Sequence, residues 1–233
     1  MPAKLPSSLK RRAITIWPMA LQLYYITDRR QFPGDRHEQE QVLLAKIAEC
    51  AAAGVEYIQL REKDLETRAL EDLALKAMAA LGGSRTQMLI NSRTDVALAC
   101  GAHGVHLPGN DLAASEVRSI FARAGMSVPV IGVSTHSASE VALAEAHGAN
   151  FAVFGPVFAK SGSSTRDGLE QLRQICHRTE TAQPPMPVWA IGGITMENAE
   201  QCAAAGAVGI AAIRLFQHGD VQAIVKQLRS LQS

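Results

Sequence analysis

A short polar stretch, Gln59-Leu60-Arg61-Glu62-Lys63, carries two cations and an amide at alternating positions. In an extended strand, alternate side chains point to the same side, so Gln59, Arg61 and Lys63 share one side. Leu60 and Glu62 then point to the other. Two cations beside an amide suit a multiply charged phosphate. The alternatives are a solvated charge cluster, or Arg61 paired with an acidic neighbour.

A second candidate anion site relies on small residues instead of charged ones. The pair Gly192-Gly193 exposes backbone N–H groups, and Thr195 is placed to cap the following helix, whose positive end would point the same way. Further along, Ala212-Ile213 ends another apolar run, where small side chains let a ligand approach the main chain. These turns predict a phosphate site made of amides, with a purely structural tight turn as the alternative.

Other polar side chains also follow apolar runs. Asp111 suits Mg²⁺ facing a polyphosphate, although an Asp just before a helix is more often a favourable partner of the helix dipole. His136 is a candidate acid or base. His106 is explained more simply as a hydrogen-bonded core histidine than as a ligand. Lys160 and Arg166 lie in a polar loop that either closes over an anion or is solvated.

The elements that position these residues follow one repeated pattern. At Gly54, Gly101, Gly148 and Gly206, a helical segment ends and an apolar strand begins about two residues later, as expected for a left-handed C-cap before a buried parallel strand. The pattern predicts eight strands, at about 22–27, 55–60, 87–91, 103–107, 129–133, 150–154, 187–191 and 207–213. With a helical segment after each strand, the chain is expected to be an α/β protein with a single (β/α)8 TIM barrel. A doubly wound open sheet is the main alternative, but it usually has fewer strands.

Composition excludes several classes of protein. The 233 residues include 23 Lys plus Arg and 22 Asp plus Glu, which gives a net charge of +1. A protein that binds nucleic acid or an anionic membrane usually has a larger excess of positive charge. No apolar stretch reaches the roughly 18 residues of a membrane-spanning helix. We therefore expect small-molecule partners, no nucleic acid and no membrane, and the sequence leaves a homo-oligomer open.

Cysteine placement and the N-terminal segment bear on location. The four cysteines are scattered through predicted helices without a CxxC pair, which favours small buried residues in a reducing cytoplasm. Residues 1–20 place a basic run before an apolar one, as a secretory signal does, but Trp17 and Pro18 interrupt the apolar run. We interpret 1–20 as an extension outside the fold, with the barrel at 21–233.

Seven segments, in order from residue 23 onward, resemble the thiamine-phosphate synthase/TenI superfamily. They are Tyr25-Ile26-Thr27-Asp28, Gln59-Leu60-Arg61-Glu62-Lys63, Leu89-Ile90-Asn91-x-Arg93-x-Asp95-Val96-Ala97-Leu98, Gly104-Val105-His106-Leu107, Gly132-Val133-Ser134-x-His136-Ser137, Gly155-Pro156-Val157-Phe158 and Ala190-Ile191-Gly192-Gly193-Ile194. The resemblance implies an enzyme of thiamine biosynthesis. Such an enzyme joins 4-amino-2-methyl-5-hydroxymethylpyrimidine pyrophosphate to a thiazole phosphate, giving thiamine phosphate and pyrophosphate.

The resemblance also implies a role for each matching residue. Gln59, Arg61 and Lys63 would hold the pyrophosphate, Asn91 would contact it, and Asp111 would bind Mg²⁺. The thiazole phosphate would lie against Gly193 and the backbone of Ala212 and Ile213. The other implied substrate-binding residues are His106, Ser134, Lys160 and Gly192, and the candidate catalytic residues are Arg61, Lys63 and His136.

Two positions depart from the family pattern. Ser92 stands where a second Mg²⁺ carboxylate is expected, and Ser163 stands where a loop lysine is expected, with Lys160 three places earlier. Two alternatives to the synthase follow. One is a TenI-type thiazole tautomerase that uses His136 as acid or base and needs no metal. The other is a non-catalytic protein that binds thiazole phosphate.

Overall fold

Eight parallel strands close into one barrel in the computed structural model, which describes residues 21–158, 166–180 and 186–231. The strands are β1 (Gln22–Ile26), β2 (Tyr57–Leu60), β3 (Gln87–Asn91), β4 (Gly104–Leu107), β5 (Val130–Thr135), β6 (Phe151–Phe154), β7 (Val188–Ile191) and β8 (Gly209–Ala212). Each strand pairs with the next, and β1 pairs with β8 through the register Tyr24↔Ala211. The predicted (β/α)8 barrel is confirmed, with strand ends within two residues of those expected.

Helices separate the strands along the chain. They are α1 (Arg36–Ala52), α2 (Thr67–Ala80), α3 (Thr94–Cys100), α4 (Ala114–Arg123), α5 (Ala138–Ala146), α6 (Arg166–Glu180), α7 (Ala199–Ala204), α8 (Arg214–His218) and α9 (Val221–Ser230), with a 3-10 turn at Arg29–Gln31. The N-terminus of α1 is capped by Asp35, whose side chain accepts hydrogen bonds from the amides of His37 and Glu38. No helix in the described ranges has the length and apolar character needed to cross a bilayer.

The barrel interior is filled by aromatic rings below the rim. Tyr24 packs edge-on against Phe151 and Trp189 at centroid distances of 5.8 and 5.7 Å, and Tyr57 lies 5.6 Å from Trp189. A Cβ on Gly209 would lie 2.5 Å from the Trp189 ring, so the large ring depends on the glycine of the neighbouring strand. The outward strand side chains pack instead against the helices.

The cysteines lie in this helical layer. Cys50, Cys100, Cys176 and Cys202 fall in α1, α3, α6 and α7, and all four are buried, as the sequence predicts. Burial raises the pKa of the Cys50 and Cys202 thiols to about 12, so these two thiols are protonated at neutral pH.

Candidate active site

Every predicted site residue in the described part of the chain lies at the carboxyl ends of the barrel strands. Five of them lie within strands, namely Gln59, Asn91, His106, Ser134 and Ala212. The others follow a strand by one to four residues, namely Arg61, Lys63, Asp111, His136, Gly192, Gly193 and Ile213. In a parallel barrel these ends form one rim, so the structure brings the whole set to one face. Lys160 and Ser163 lie outside the described residues, as do residues 1–20.

Two cations stand at the rim after β2. Arg61 is half-buried and Lys63 is exposed. Neither side chain forms a hydrogen bond or an ion pair with another described residue, so Arg61 is not paired with a neighbouring acid there. Charged side chains without a counter-ion can bind an anion from solution without first breaking an ion pair.

A buried network that the sequence analysis missed fixes the loop carrying these cations. Arg29 is buried, with 3% of its surface exposed. Its guanidinium donates hydrogen bonds to Glu62 at 2.8 Å and to Asp64 at 2.8 and 2.6 Å. Thr27 Oγ1 donates to Glu62 Oε1 at 2.6 Å and accepts the Arg61 backbone N–H at 3.0 Å. The alternation that places Glu62 opposite Arg61 is the sequence signal for this network, because a carboxylate facing the helix layer needs a partner.

Electrostatics within the network follow from burial and pairing. Burial raises the pKa of Glu62, although Thr27 and Arg29 oppose the shift by donating to its carboxylate. The hydrogen bond from Arg29 lowers the pKa of the more exposed Asp64. Because Arg29 joins both carboxylates, the loop is attached to the barrel at two points.

An amide pair continues the rim on β2 and β3. Gln59 Nε2 donates to Asn91 Oδ1 at 2.8 Å. This bond uses the oxygen of Asn91 and leaves its NH₂ group available as a donor. A pocket of about 340 Å³ is lined by Lys63, Asn91 and Ser92, among others. The pocket therefore leaves room for an anionic group to accept a hydrogen bond from the Asn91 NH₂, as predicted.

Ser92 occupies an unusual position next to Asp111. Its backbone has φ of 65°, the left-handed region that non-glycine residues seldom adopt. The Ser92 hydroxyl donates a short hydrogen bond to Asp111 Oδ2, and the Leu112 amide donates to Asp111 Oδ1 at 2.7 Å. The serine that replaces an expected carboxylate thus orients the carboxylate that remains.

The residues near Asp111 supply only part of the ligand set that a bound Mg²⁺ needs. Among the described residues no group of three or more His, Cys, Asp and Glu side chains is arranged to hold a metal. Mg²⁺ commonly binds one or two carboxylates and completes its shell with water and substrate phosphate oxygens. A single oriented Asp111 fits that kind of site and does not form a closed metal cage.

His106 lies in the barrel interior just below the rim and is 2% exposed. Its Nδ1 is 3.1 Å from the Tyr24 hydroxyl, and its Nε2 is 2.8 Å from Ser134 Oγ. Burial, with a smaller contribution from the positive charge of Arg61, lowers the pKa of His106 to about 3. His106 is thus a neutral, hydrogen-bonded core histidine, and half-buried Ser134 separates it from the rim.

His136 is exposed at the rim after β5. Its Nδ1 donates to the Gly155 carbonyl at 2.5 Å, and its backbone N–H donates to Glu140 Oε2 at 2.7 Å. A carbonyl oxygen only accepts, so Nδ1 carries the hydrogen and Nε2 of the neutral ring keeps its lone pair. The structure therefore presents an imidazole nitrogen suited to accepting a proton.

The opposite side of the rim is a cleft of about 640 Å³, lined in part by Gly192, Gly193, Ala212 and Ile213. The glycines have φ of 98° and 65°, and a Cβ on Gly193 would lie 2.6 Å from the Phe158 carbonyl oxygen. Only glycine fits this turn without strain. Within the described residues, the N–H groups of Gly193 and Ile213 have no acceptor, so they are available to an anion.

The predicted cap of the following helix is wrong. Helix α7 begins at Ala199 with Asn198 as its N-cap residue, and Thr195 lies one turn earlier. The Asn198 side chain accepts from the Thr195 N–H at 2.8 Å and donates to the Gly193 carbonyl at 3.0 Å. Asn198 therefore holds the glycine turn in shape, and the N-terminus of α7 does not directly follow that turn.

Comparison with known proteins decides the family. The family described as thiamine monophosphate synthase matches residues 23–216. The chain belongs to the thiamine monophosphate synthase family. It is 37% identical over 218 residues to the thiamine-phosphate synthase of Methanoculleus marisnigri, covering 91% of this chain and 95% of that relative. It is 39% identical over 194 residues to a provisionally named thiamine-phosphate synthase of Geobacter sulfurreducens, covering 82% and 84%.

Comparison with solved structures supports the same grouping. Thiamine phosphate pyrophosphorylase from Pyrococcus furiosus superposes with a TM-score of 0.73 at 31% identity, covering 91% of this chain and 95% of that one. Other barrels, such as 3-hexulose-6-phosphate synthase, superpose with a TM-score of 0.62 at 16% identity. Their similarity shows the fold alone.

Proposed function

We propose that this protein is a thiamine-phosphate synthase, which joins the aminopyrimidine pyrophosphate to thiazole phosphate and releases pyrophosphate. The observation that carries the proposal is the pair of unlike anion sites at one rim. Arg61 and Lys63 form the first, without counter-ions among the described residues. The glycine cleft with the free amides of Gly193 and Ile213 forms the second. A condensation of two phosphorylated molecules requires both.

The reaction asks the protein for positioning and charge. The C–O bond between the pyrimidine methylene and the pyrophosphate breaks, and its electron pair leaves with the pyrophosphate. Arg61 and Lys63 stabilise the negative charge on that leaving group, and the Asn91 NH₂ donates to it. The amino group of the pyrimidine stabilises the resulting cation, and the lone pair of the thiazole nitrogen forms the new C–N bond.

The glycine cleft orients the second substrate. If the amides of Gly193 and Ile213 hold the thiazole phosphate, the thiazole ring is directed over the barrel mouth toward β2–β4. Fixing both substrates across the mouth removes most of the entropic cost of bringing them together. No protein nucleophile is required, because the attacking lone pair belongs to the thiazole nitrogen.

We propose that Asp111 would hold Mg²⁺, a cation that proteins commonly bind through one or two carboxylates together with water and substrate phosphate oxygens. When bound, Mg²⁺ supplies positive charge against the oxygens of the leaving group. The contribution of Ser92 is to orient Asp111 by its hydrogen bond.

A thiazole tautomerase is the second candidate, and His136 is the observation that favours it. With Nδ1 donating to Gly155, Nε2 is free to take and return a proton. Isomerising a carboxythiazole phosphate, however, gives no use to the cations Arg61 and Lys63. Neither cation has a counter-ion within the described part of the chain, and this favours the synthase. A protein that only binds thiazole phosphate would have no use for them either.

The experiment is incubation of the purified protein with both substrates and Mg²⁺, followed by detection of thiamine phosphate. Product that depends on both substrates and falls by orders of magnitude in Asp111→Ala supports the synthase. Asp95→Ala is the matched control, because Asp95 is a carboxylate on the same side of the barrel, paired with Arg93. Metal-independent isomerisation that is abolished in His136→Ala would select the tautomerase. Thiazole-phosphate binding without turnover would select the binder.

We further propose that the protein works in the cytoplasm on small phosphorylated molecules, without nucleic acid or membrane. The burial of the four scattered cysteines and the near-zero net charge support this.

A further inference from the structure

A hydrogen-bonded chain of three side chains runs from the buried barrel interior to the rim. Tyr24, which is fully buried among aromatic rings, contacts His106 Nδ1 at 3.1 Å, and His106 Nε2 contacts Ser134 Oγ at 2.8 Å. Among the residues that the structure describes, His106 is the single hydrogen-bond partner of the Tyr24 hydroxyl. Ser134 is half-buried and ends the chain at the mouth of the barrel.

The direction of every hydrogen bond in this chain follows from its buried end. Burial raises the pKa of Tyr24 well above its ordinary value, so the phenol keeps its proton. A buried hydroxyl hydrogen needs an acceptor, and His106 Nδ1 is the acceptor within reach. Nδ1 therefore carries a lone pair. The neutral ring then has its hydrogen on Nε2, which donates to Ser134 Oγ.

The last step concerns the serine hydroxyl. Because Ser134 Oγ accepts from His106, its own hydrogen points away from the histidine. The reverse arrangement, in which Ser134 donates to Nε2, would put a hydrogen on Nδ1. The Tyr24 hydrogen would then be buried without a partner. The buried Tyr24–His106 pair thus determines that the Ser134 hydroxyl accepts from His106 and does not donate to it.

We infer that Tyr24 is a positioning residue that acts through His106 to fix the Ser134 hydroxyl as a hydrogen-bond donor at the barrel mouth. The Ser134 hydrogen is therefore available to a substrate atom that accepts a hydrogen bond, such as an unprotonated ring nitrogen or a pyrophosphate oxygen. The inference rests on the proposed function only in taking the rim as the substrate site.

The first test reads the tautomer directly, without substrate. Nitrogen-15 NMR of the histidine rings distinguishes a protonated Nε2 from a protonated Nδ1. We expect His106 of the wild type to be protonated at Nε2 alone. In Tyr24→Phe, where no phenol hydrogen needs an acceptor, we expect both tautomers. Tyr25→Phe is the matched control, since Tyr25 is also a buried tyrosine but donates to Gln217 on the outer face of β1. A wild-type Nδ1–H ring, or an unchanged ring in Tyr24→Phe, overturns the inference.

The second test measures binding of the aminopyrimidine pyrophosphate by calorimetry in a double-mutant cycle. Tyr24→Phe should weaken binding by about tenfold when Ser134 is present and have little effect when Ser134 is alanine. Equal losses in both backgrounds would mean that Tyr24 acts through general packing, and would overturn the inference. Inorganic pyrophosphate is the second probe. A parallel loss assigns the accepted hydrogen bond to a pyrophosphate oxygen, and a loss confined to the full ligand assigns it to the ring.

The two proposals fail differently. If the wild type binds neither ligand, the proposed function is wrong, and the assignment of an acceptor atom fails with it. The tautomer measurement still decides the role of Tyr24, because it needs no ligand.

Discussion

The two halves of the barrel rim are built by different means. On the β2–β4 side, the groups that face the mouth are side chains: Arg61, Lys63, Asn91 and Asp111. On the β6–β8 side, the lining is mainly glycine, alanine and exposed amides. Side chains supply full charges at the ends of flexible chains, whereas amides supply partial charges fixed by the backbone.

This difference sets what each half needs from the rest of the fold. The side-chain half depends on buried polar contacts, since the Arg29–Glu62 ion pair and the hydrogen bond from the Arg61 N–H to Thr27 fix the loop that carries Arg61. The glycine half depends on close packing, since a Cβ on Gly192 would lie 2.7 Å from Pro156. Substitutions should therefore change charge on one side and shape on the other.

Replacing a cation tests whether the two halves are separate. We expect Arg61→Ala to weaken binding of the pyrimidine pyrophosphate on the order of 100-fold, about 2.7 kcal/mol, because a charged hydrogen-bond donor is lost. Thiazole-phosphate binding should stay within twofold. Calorimetric titration with each ligand makes the measurement. Arg123→Ala, at an exposed position on α4, is the control. Equal losses for both ligands would show that the rim is a single site.

The stability of the folded protein should depend on pH through His106, which is buried in the barrel interior between Tyr24 and Ser134. The pKa of His106 is about 3 in the folded protein against an ordinary 6.5. Between these values the unfolded chain binds a proton that the folded protein does not, so lowering the pH favours unfolding. We expect His106 to cost about 2 kcal/mol of stability between pH 7 and pH 5.

Denaturant unfolding of wild type and His106→Gln at both pH values isolates this contribution, because the other titrating groups are shared. The loss of stability on acidification should be about 2 kcal/mol smaller in the variant. The same substitution at His37, exposed on α1, is the control. If the stability of wild type and His106→Gln changes equally with pH, the pKa of His106 in the folded protein is not lowered, and the prediction is wrong.

Filling the glycine turn tests the other half. Gly193→Ala puts a Cβ at φ of 65°, 2.6 Å from the Phe158 carbonyl oxygen. Gly101→Ala is a matched control, because its φ is 67° but nothing lies within 4 Å of the added atom. Both should lose about 1 kcal/mol to backbone strain, and Gly193→Ala about 1.5 kcal/mol more to the clash. Thiazole-phosphate affinity should fall only in Gly193→Ala, with pyrophosphate binding unchanged. Loss of pyrophosphate binding in that variant would contradict the division of the rim.

The sequence predicted the features that depend on neighbouring residues, namely the strands and the barrel fold. Strands following glycine C-caps were identifiable because each is a short apolar run. The location of the site followed from the barrel rule that strand ends carry the chemistry. The roles of Arg61, Asp111 and His136 stay predictions, since their placement at the rim is compatible with more than one reaction.

What the sequence did not predict depends on contacts between distant segments. Arg29 meets Glu62 because β1 and β2 are neighbours. The alternation in β2 indicates that Glu62 needs a partner but does not identify Arg29 as that partner. The bond between Ser92 and Asp111 similarly joins the ends of β3 and β4. Thr195 was expected as a cap because it follows the glycines, but an extra turn delays α7 to Ala199.

The smallest expected effect concerns Ser92. Aspartate tolerates the left-handed backbone found there, so Ser92→Asp should fold and place a second carboxylate beside Asp111. We expect Mg²⁺ affinity in the presence of pyrophosphate to rise by about fivefold, close to 1 kcal/mol, since a full charge replaces a hydroxyl. Calorimetric Mg²⁺ titration measures it. Ser92→Asn, which shares the shape and the backbone tolerance but not the charge, should not gain affinity. If Asn and Asp behave alike, Asp111 binds no cation and the side-chain half acts through Arg61 and Lys63 alone.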